Sequence, residues 1–375
     1  MGEHQSQRMT LSQLTTSELE TFAASEAYRQ MPVLPISLQR AVSYSHNPRT
    51  QPEDVVLLLA WAGDDLIGYI GALPDWFYFG EHPPERMAWL SCLWIAPSQR
   101  GKGLAKKLLN TMLEAWQYRI ILTEFTPEIK HLYDRSESLT ESQPLLGFRG
   151  YLRPNFAQIL PPKKSFFEKI KPVLSVVDML LSLPNIIRIK LLHNRKPPCE
   201  IRYLKDIDEH LANFITANQA NELARRDRAA LQWMLQYPWV TESAFPDEPA
   251  RRYHFTSTAR EFKTLALQLL DSEQQTIGVL ILSLRDGHLR VPHAWHPDEH
   301  SATVASVIFA QAIRLGAKML TLYHPRLVRY CNEYNTPFFW GKTLRRTYFV
   351  GQGLSDILAI QPLILQDGDG DVGFT

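Results

Sequence analysis

Hydrophobic and polar positions follow two periods along this chain, and the change from one period to the other predicts its elements. Compact apolar runs indicate buried strands, and segments whose apolar residues recur every three or four positions indicate helices. In the first half this pattern predicts strands at 9–14, 55–61, 66–73, 87–96, 120–125 and 147–160, and helices at 17–29, 36–44, 104–116 and 127–135. Strands that alternate with helices in this way predict an α/β fold.

The same order of elements begins again after residue 200. The second half is predicted to hold strands at 201–204, 276–284, 288–291 and 319–323, helices at 206–217, 225–235, 302–315 and 326–334, and closing strands within 338–350. The repeat lies in the order of elements and not in identical residues. We therefore predict two lobes of one fold at 1–160 and 200–360, with a connecting segment at 161–199 and a flexible acidic tail at 361–375.

The turn after the strand at 87–96 predicts an anion site. Pro97 ends the strand, and a strongly amphipathic helix follows the glycines Gly101 and Gly103. The first N–H groups of a helix have no intrahelical partner and carry partial positive charge, so they can bind a phosphate. Glycine lets the backbone approach closely, and Arg100 and Lys102 add two full charges.

The residues of this turn resemble a known signature. Gln99-Arg100-Gly101-Lys102-Gly103-Leu104-Ala105 resembles the acetyl-CoA pyrophosphate signature of the GNAT superfamily of N-acetyltransferases, and Leu93-Trp94-Ile95-Ala96-Pro97 resembles the strand whose splayed end receives the pantetheine arm. The likeness is closest over residues 55–150. It implies acetyl-CoA as cosubstrate and two tandem GNAT-like lobes, each a mixed, largely antiparallel sheet flanked by helices. Lys106 stands where a dinucleotide-binding motif would need glycine.

The resemblance also implies a general acid. Acyl transfer to an amine needs a base, a donor to the oxyanion and a proton for the departing thiolate. Tyr133 resembles the family tyrosine that stands near the CoA sulfur and protonates it. The family's usual asparagine seven residues earlier is Thr126 here, so one contact to the pantetheine arm is altered.

The base is less defined by the sequence. Glu124 at the end of a strand is the preferred residue, and Glu85, Asp75 and a chain of water molecules are alternatives. A backbone N–H on the strand 93–95 would stabilise the oxyanion. Cys92 could form an acyl-cysteine, but a cysteine in a buried strand is usually inert and the family transfers directly.

The second lobe departs from the signature at the corresponding turn, which reads Pro297-Asp298-Glu299-His300-Ser301. Two carboxylates there would repel a phosphate by roughly 4 kcal/mol for each charge pair at 4 Å. That exceeds the 0.3–1 kcal/mol or so that a helix terminus typically contributes. The second lobe is therefore predicted not to bind CoA in the usual way.

Two further motifs resemble metal-binding sequences, but we expect each to have no metal-binding role. His293 and His296 lie between prolines with no strong zinc spacing, and we expect a solvated loop. The run Asp367-Gly-Asp-Gly-Asp371 resembles the start of a calcium loop but lacks the closing glutamate. We expect no metal at either place.

The segment 161–199 differs in character from both lobes. It is rich in Lys and Arg, and Phe166, Ile170, Val173, Val177 and Leu181 follow helical spacing until Pro184 breaks the run. A basic amphipathic segment can lie on an anionic membrane. We expect the commoner arrangement, a connecting helix packed between the lobes.

Composition narrows the remaining choices. The 375 residues are 45% hydrophobic and carry a net charge of +1, which gives no general attraction to nucleic acid or membrane. Three scattered cysteines, a polar N-terminus and the lack of a long apolar run predict a cytoplasmic protein without integral membrane association. A homodimer is left open.

These observations together predict an N-acetyltransferase acting on a small-molecule or peptide amine, with a degenerate second lobe. A non-catalytic acetyl-CoA-binding scaffold and a membrane-peripheral acyltransferase are the alternatives.

Overall fold

The structure is a computed structural model that describes residues 9–80, 82–161, 164–193, 197–244, 252–334, 336–358 and 364–371. Within these ranges the strands are β1 (Met9–Thr15), β2 (Val55–Ala62), β3 (Asp65–Phe77), β4 (Glu85–Ile95), β5 (Ile120–Leu122), β6 (Leu139–Glu141), β7 (Leu145–Tyr151), β8 (Glu200–Leu204), β9 (Thr241–Glu242), β10 (Thr258–Ala259), β11 (Phe262–Leu270), β12 (Thr276–Arg285), β13 (His288–Trp295), β14 (Met319–Leu322), β15 (Trp340–Arg346) and β16 (Phe349–Gly351).

The helices of the same ranges are α1 (Thr16–Ala24), α2 (Glu26–Gln30), α3 (Leu38–Ser45), α4 (Leu104–Ala115), α5 (Pro127–Asp134), α6 (Phe156–Ile159), α7 (Ser165–Lys169), α8 (Lys171–His193), α9 (Glu209–Ala217), α10 (Arg228–Gln236), α11 (Ser301–Arg314), α12 (Pro325–Glu333) and α13 (Ser355–Leu358). Short 3₁₀ turns lie at Pro97–Gln99, Asp298–His300 and Gln352–Leu354. Most predicted helices are present. The helix expected over 17–29 is interrupted at Ser25, whose side chain caps α2 by accepting a bond from the Tyr28 N–H.

Two mixed seven-stranded sheets organise these elements. The first has the order β1-β2-β3-β4-β5-β16-β6, and the second, taken from its far edge, has the order β8-β11-β12-β13-β14-β7-β15. In each sheet the first four strands are antiparallel neighbours and the fifth is parallel to the fourth. The predicted fold class, two tandem GNAT-like lobes, is confirmed.

Each sheet contains one strand from the other half of the sequence. In the first sheet β16 lies between β5 and β6, with Phe349 opposite Leu122 and Glu141. In the second sheet β7 pairs with β14, with Tyr151 opposite Met319. The strand pair expected at 147–160 within the first lobe is therefore wrong: β7 belongs to the second sheet, and α6 follows it.

The chain accordingly divides into two discontinuous units. Unit 1 comprises Met1–Leu145, Ile207–Arg260 and Arg346–Thr375, and unit 2 comprises Leu146–Asp206 and Glu261–Arg345. This division differs from the expected lobes at 1–160 and 200–360, because the helices α9 and α10 and the strand β16 belong to unit 1.

Each unit has its own hydrophobic core. In unit 1 the apolar face of α4, with Leu108, Met112 and Leu113, packs on residues of the sheet such as Ile70 and Ile120, all of them less than 1% exposed. Removing such surface from water contributes roughly 1.5–3 kcal/mol for each large side chain. In unit 2 the apolar face of α11 packs in the same way with the strands β12 to β14.

Two expectations about the connecting segment and the tail are wrong. Pro184 lies inside α8 and does not end the helix, and much of the apolar surface of α8 is exposed and not packed. The part of the tail at 364–371 is not a flexible acidic segment, since Gln366, Asp367 and Asp369 are buried within unit 1.

Candidate functional site

The parallel strands β4 and β5 pair over a short distance and then separate. Ala88 lies opposite Ile120 and Trp89 opposite Ile121, while β4 continues to Ile95 and β5 ends at Leu122. The second half of β4 thus has no parallel neighbour from β5. This opening exposes the backbone of β4 on one side.

A β-bulge lies in the same half of β4. Trp94 pairs with Tyr69 and Ser91 with Gly71, so that the two residues Cys92 and Leu93 stand opposite the single residue Ile70. Cys92 adopts a φ of +53°. A bulge locally disrupts the hydrogen-bond ladder, and this one adjoins the stretch 93–95 on which the sequence analysis expected the oxyanion donor.

The glycine turn follows directly after β4. Gly101 and Gly103 have φ of +76° and +83°, and Gly103 is the N-cap of α4. A Cβ at either glycine would meet nothing within 4 Å. Glycine is therefore required by the backbone conformation and not by crowding within the protein, and the space above the turn is open to a ligand.

A cleft of about 930 Å³ lies at this turn. Its walls are formed by the end of β4, the first turns of α4, and α5. The lining residues are Leu93, Trp94, Ile95, Gln99, Arg100, Gly101, Gly103, Leu104, Ala105, Lys106, Leu109, Asn110, Thr126, Glu128, Ile129, His131, Leu132, Arg135 and Ser136. Of the residues predicted to bind the cofactor, the structure brings all but Lys102 to this wall. From α5 the sequence analysis had named only Tyr133, and it missed Ile129 and Leu132, which supply apolar surface to the cleft.

Tyr133 lies on α5 next to the cleft, but its ring is part of the core. It is 4% exposed and packs edge to face against Phe125, with Phe349 beside it. Burial raises the pKa of the Tyr133 phenol, so the group is protonated at neutral pH. The sequence pattern of α5, with Ile129, Leu132 and Tyr133, cannot distinguish a tyrosine packed in the core from a catalytic one. In the structure the Tyr133 ring packs in the core.

Glu124 follows β5 and has a φ of +55°, which is unusual for a residue other than glycine. Its side chain is half exposed and lies 3.0 Å from the Arg346 guanidinium, which also bonds Asp367. The carboxylate is thus paired with a cation. The alternative base Glu85 faces Arg119 at 3.8 Å and is exposed.

Asp75, the other alternative base, is part of a buried charge cluster. It accepts bonds from Arg49, from Arg226 at 2.9 Å and from the Trp89 indole at 2.9 Å. Burial acts to raise the pKa of Asp75, but the two guanidinium groups outweigh it and lower the pKa to about 2. A carboxylate so firmly ionised and enclosed holds structure together and does not serve as a base.

The C-terminal segment completes this cluster. Arg226 also bonds Asp369 at 3.0 Å, and Arg40 bonds Asp371 at 2.7 Å. Arg40 in turn donates to the Cys92 sulfur at 2.8 Å, next to the bulge of β4. Burial raises the pKa of the Cys92 thiol although Arg40 opposes it, so the thiol is a poor nucleophile. Asp371 and Arg40 come near the site from distant parts of the sequence, and no local pattern indicates them.

His254 is a further group that the sequence analysis missed. Its ring stacks on Trp94 with 5.0 Å between the centroids, and Trp94 lines the cleft. Partial burial, with the nearby charge of Arg100, lowers the pKa of His254. The imidazole is therefore neutral at pH 7 and can accept a proton. Residues 252–260 had been assigned to the second lobe, which concealed this contact.

Unit 2 has a different turn at the corresponding place after β13. Asp298–His300 forms a 3₁₀ turn, and Arg326 of α12 pairs with Asp298 and donates to the His296 carbonyl at 3.1 Å. His293 and His296 are buried and belong to β13 and its end, so the expected solvated loop is wrong. In the described part of the chain, no group of three or more His, Cys, Asp or Glu side chains could hold a metal ion.

Comparison with known proteins agrees with this geometry. The model of the acetyltransferase (GNAT) family matches residues 15–126. No curated protein matches the chain significantly.

Solved structures support the fold of the whole chain. One is described as a GCN5-related N-acetyltransferase from Anabaena variabilis, with 12% identity, a TM-score of 0.50, and coverage of 91% of this chain and 72% of that one. Another is a conserved protein of unknown function from Enterococcus faecalis, described as a probable N-acyltransferase, with 13% identity, a TM-score of 0.51, and coverage of 91% and 72%. At such identity the likeness defines the fold, and the family match supports acyl transfer as the class of reaction.

Proposed function

We propose that the chain is an acetyl-CoA-dependent N-acetyltransferase that moves the acetyl group directly to the amine of a small molecule or peptide. The observation that carries this proposal is the open glycine turn at the point where β4 and β5 separate. It faces a cleft of about 930 Å³ that is lined mostly by residues that the family model matches.

The donor fits the groups that line this cleft. The first N–H groups of α4 and the side chain of Arg100 bind the pyrophosphate, since a helix terminus and a cation both favour an anion. Lys102 does not line the cleft, and it adds positive charge to the same turn. The exposed backbone of Leu93–Ile95 bonds the amides of the pantetheine arm, and Ile129 and Leu132 contact its apolar part. The thioester is then held beside the bulge at Cys92.

The transfer requires four events. A base, for which we propose Glu124, takes a proton from the ammonium group of the acceptor. The amine nitrogen attacks the thioester carbonyl carbon, and the resulting oxyanion accepts a bond from a backbone N–H of the stretch 93–95 beside the bulge. The carbon–sulfur bond then breaks as the carbonyl re-forms, and the nitrogen loses its second proton to water to give the neutral amide. The departing thiolate takes the proton of the Tyr133 phenol, which is replaced from water.

A non-catalytic acyl-CoA-binding protein is the second candidate. Two observations favour it: the Tyr133 ring is packed in the core, and Glu124 is paired with Arg346. Both arrangements would be retained by a lobe that binds CoA and no longer turns it over. This candidate differs from the first only in the chemical step.

One experiment separates the two. The purified chain is titrated with acetyl-CoA by calorimetry and then incubated with acetyl-CoA, or with longer acyl-CoA thioesters, and a panel of amines while free thiol is measured. Binding with amine-dependent thiol release supports the acetyltransferase, and a preference for a longer thioester corrects the donor. Binding without release for any amine supports the scaffold. Absence of binding overturns both.

A further inference from the structure

The helix α8 in unit 2 has its polar and apolar faces reversed relative to an ordinary surface helix. Such a helix normally turns its apolar face to the core and its polar face to water. In α8 the residues that face unit 2 include Asp178, Asn185 and Arg188, whereas the opposite face is almost entirely apolar.

The polar face fixes the middle of α8 to unit 2. Asp178 accepts bonds at 2.8 and 2.9 Å from the N–H groups of Phe156 and Ala157, at the start of α6. Asn185 and Arg188 donate to the Leu152 carbonyl at 3.1 and 2.9 Å. Ile189, 7% exposed, joins the core of the unit. The middle of the helix is therefore attached to unit 2, so the helix cannot insert lengthwise into a membrane while these contacts are kept.

The outward face of α8 is a long apolar surface. Its residues are Val173 (59% exposed), Val176 (50%), Leu180 (58%), Leu183 (62%), Ile187 (67%) and Leu191 (67%). They recur three or four positions apart over a helix of about 35 Å. Met179 and Ile186 widen the surface on one side, at 61% and 55% exposure. Contiguous apolar surface of this extent marks an interaction site in soluble proteins.

Cationic side chains accompany this apolar face. Lys164, Lys169 and Lys171 lie at its N-terminal end and Lys190 near its C-terminal end, all of them exposed. The described residues 164–193 contain five Lys and Arg against two Asp and Glu. One of those acids, Asp178, is occupied in capping α6. An apolar stripe with lysines at both ends complements an interface that has anionic groups at its surface and an apolar layer directly below them.

We propose that α8 docks unit 2 on an anionic lipid bilayer, with the helix lying in the plane of the interface and its outward apolar face buried among the acyl chains. The helix is long and apolar enough, by length and composition, to cross a membrane. Its attachment through Asp178, Asn185 and Arg188 excludes that arrangement, since a spanning helix could not keep its middle bound to unit 2. Pairing with a second copy would bring two sets of lysines together.

The test is flotation of the whole chain with vesicles. Vesicles of phosphatidylcholine containing phosphatidylglycerol are expected to carry the protein, pure phosphatidylcholine vesicles to carry far less, and high salt to release it because salt screens surface charges. Binding that resists both salt and alkaline carbonate would indicate a membrane span and overturn the proposal. So would equal binding to both kinds of vesicle.

Two variants assign the effect to α8. The substitutions Val176→Gln, Leu180→Gln, Leu183→Gln and Ile187→Gln should lower partition into anionic vesicles at least about tenfold, since they remove the apolar surface. Lys164→Gln, Lys169→Gln and Lys171→Gln should abolish the preference for anionic lipid. A control with Leu38→Gln, Leu146→Gln and Phe339→Gln removes apolar side chains that are about half exposed elsewhere, and should float like the wild type.

The competing occupant gives a different result. If the apolar face pairs with a second copy, sedimentation without lipid will show a dimer that the four apolar substitutions dissociate, and the vesicles will carry little protein. That result would overturn the proposal. Equal flotation of the wild type and the variant with the four apolar substitutions would also overturn it, because the binding would then lie elsewhere.

Discussion

The turn after β4 in unit 1 and the turn after β13 in unit 2 occupy the same position in two sheets of the same strand order. The first places two glycines at positive φ before α4 and faces open space. The second places Asp298 and Glu299 before α11, and Arg326 of its own unit pairs with Asp298. The charges that a phosphate would supply at the first turn are already present as side chains at the second. We therefore propose that the two units share one architecture and that this turn decides which of them holds a ligand.

The largest effect should come from making the first turn resemble the second. Gly101→Asp with Gly103→Asp adds two carboxylates beside the pyrophosphate, each repelling it by roughly 4 kcal/mol at 4 Å. Affinity for acetyl-CoA should fall at least about 10³-fold by calorimetry. The matched control is Gly80→Asp, at φ of +51° with nothing within 4 Å of a Cβ, which should bind like the wild type. Unchanged affinity in the folded double variant would remove the turn from the site.

The second-largest effect should come from removing the general acid of the chemical step, which changes unit 1 alone. Tyr133→Phe retains the ring that packs on Phe125 and Phe349 and removes only the hydroxyl. Loss of a general acid should lower kcat by about 100-fold or more with little change in acetyl-CoA affinity. Steady-state kinetics and calorimetry on the same preparations measure both quantities. A variant with wild-type kcat across the pH range would show that Tyr133 belongs only to the core.

The two units also differ in the titratable groups that they bury. Unit 1 buries Asp75 as an ion pair with pKa lowered to about 2. Unit 2 buries His324, where burial and the adjacent His296 lower the pKa to about 3. Between pH 6.5 and 3 the unfolded imidazole binds a proton that the folded one does not, so stability falls as the pH falls through this range. As the pH falls, the free energy of unfolding of unit 2 should therefore decrease well before the pH is low enough to protonate Asp75 in unit 1.

This difference gives the third prediction. Between pH 7 and pH 5 the free energy of unfolding of unit 2 should fall by about 2 kcal/mol because of His324, and His324→Phe should remove that part of the loss. Hydrogen exchange of β14 and α12 at the two pH values, in the wild type and the variant, measures it. If the variant loses as much protection as the wild type, His324 is not the group responsible.

The smallest expected change concerns the second turn itself. Titration with acetyl-CoA well above the dissociation constant should give one site per chain, and Asp298→Asn with Glu299→Gln should leave that number unchanged. Neutral side chains remove the repulsion, but they supply neither the glycine backbone nor the cations of the first turn. A stoichiometry near two, in the wild type or the variant, would show that unit 2 retains a site.

Local sequence patterns were sufficient for the strands and helices that surround the cleft. The apolar run of β4, the glycines and the periodic residues of α4 lie within thirty residues of one another, so short-range physics places them together. The GNAT-like fold was predicted from the resemblance of residues 93–105 to a family signature, and the repeated order of elements extended that prediction to the second half.

What the sequence could not indicate was pairing over long distances. A short apolar strand such as β7 or β16 suits the gap in either sheet, and its pattern does not say which one it fills. The acidic run at 367–371 has the composition of a solvated tail, and its ion pairs with the buried Arg40, Arg226 and Arg346 make it part of unit 1. Deleting residues 200–375 would therefore not isolate unit 1, since it would remove α9, α10 and β16.

The position of β16 has a consequence for how the protein is made. Phe349 pairs with Leu122, so the chain must grow by more than two hundred residues after β5 before the gap between β5 and β6 can be filled. At roughly 5–20 residues per second on the ribosome, this takes on the order of ten to forty seconds. During synthesis β5 and β6 lack the strand that lies between them. The first sheet therefore cannot be completed until the C-terminal part of the chain has been made, although most of its strands are synthesised early.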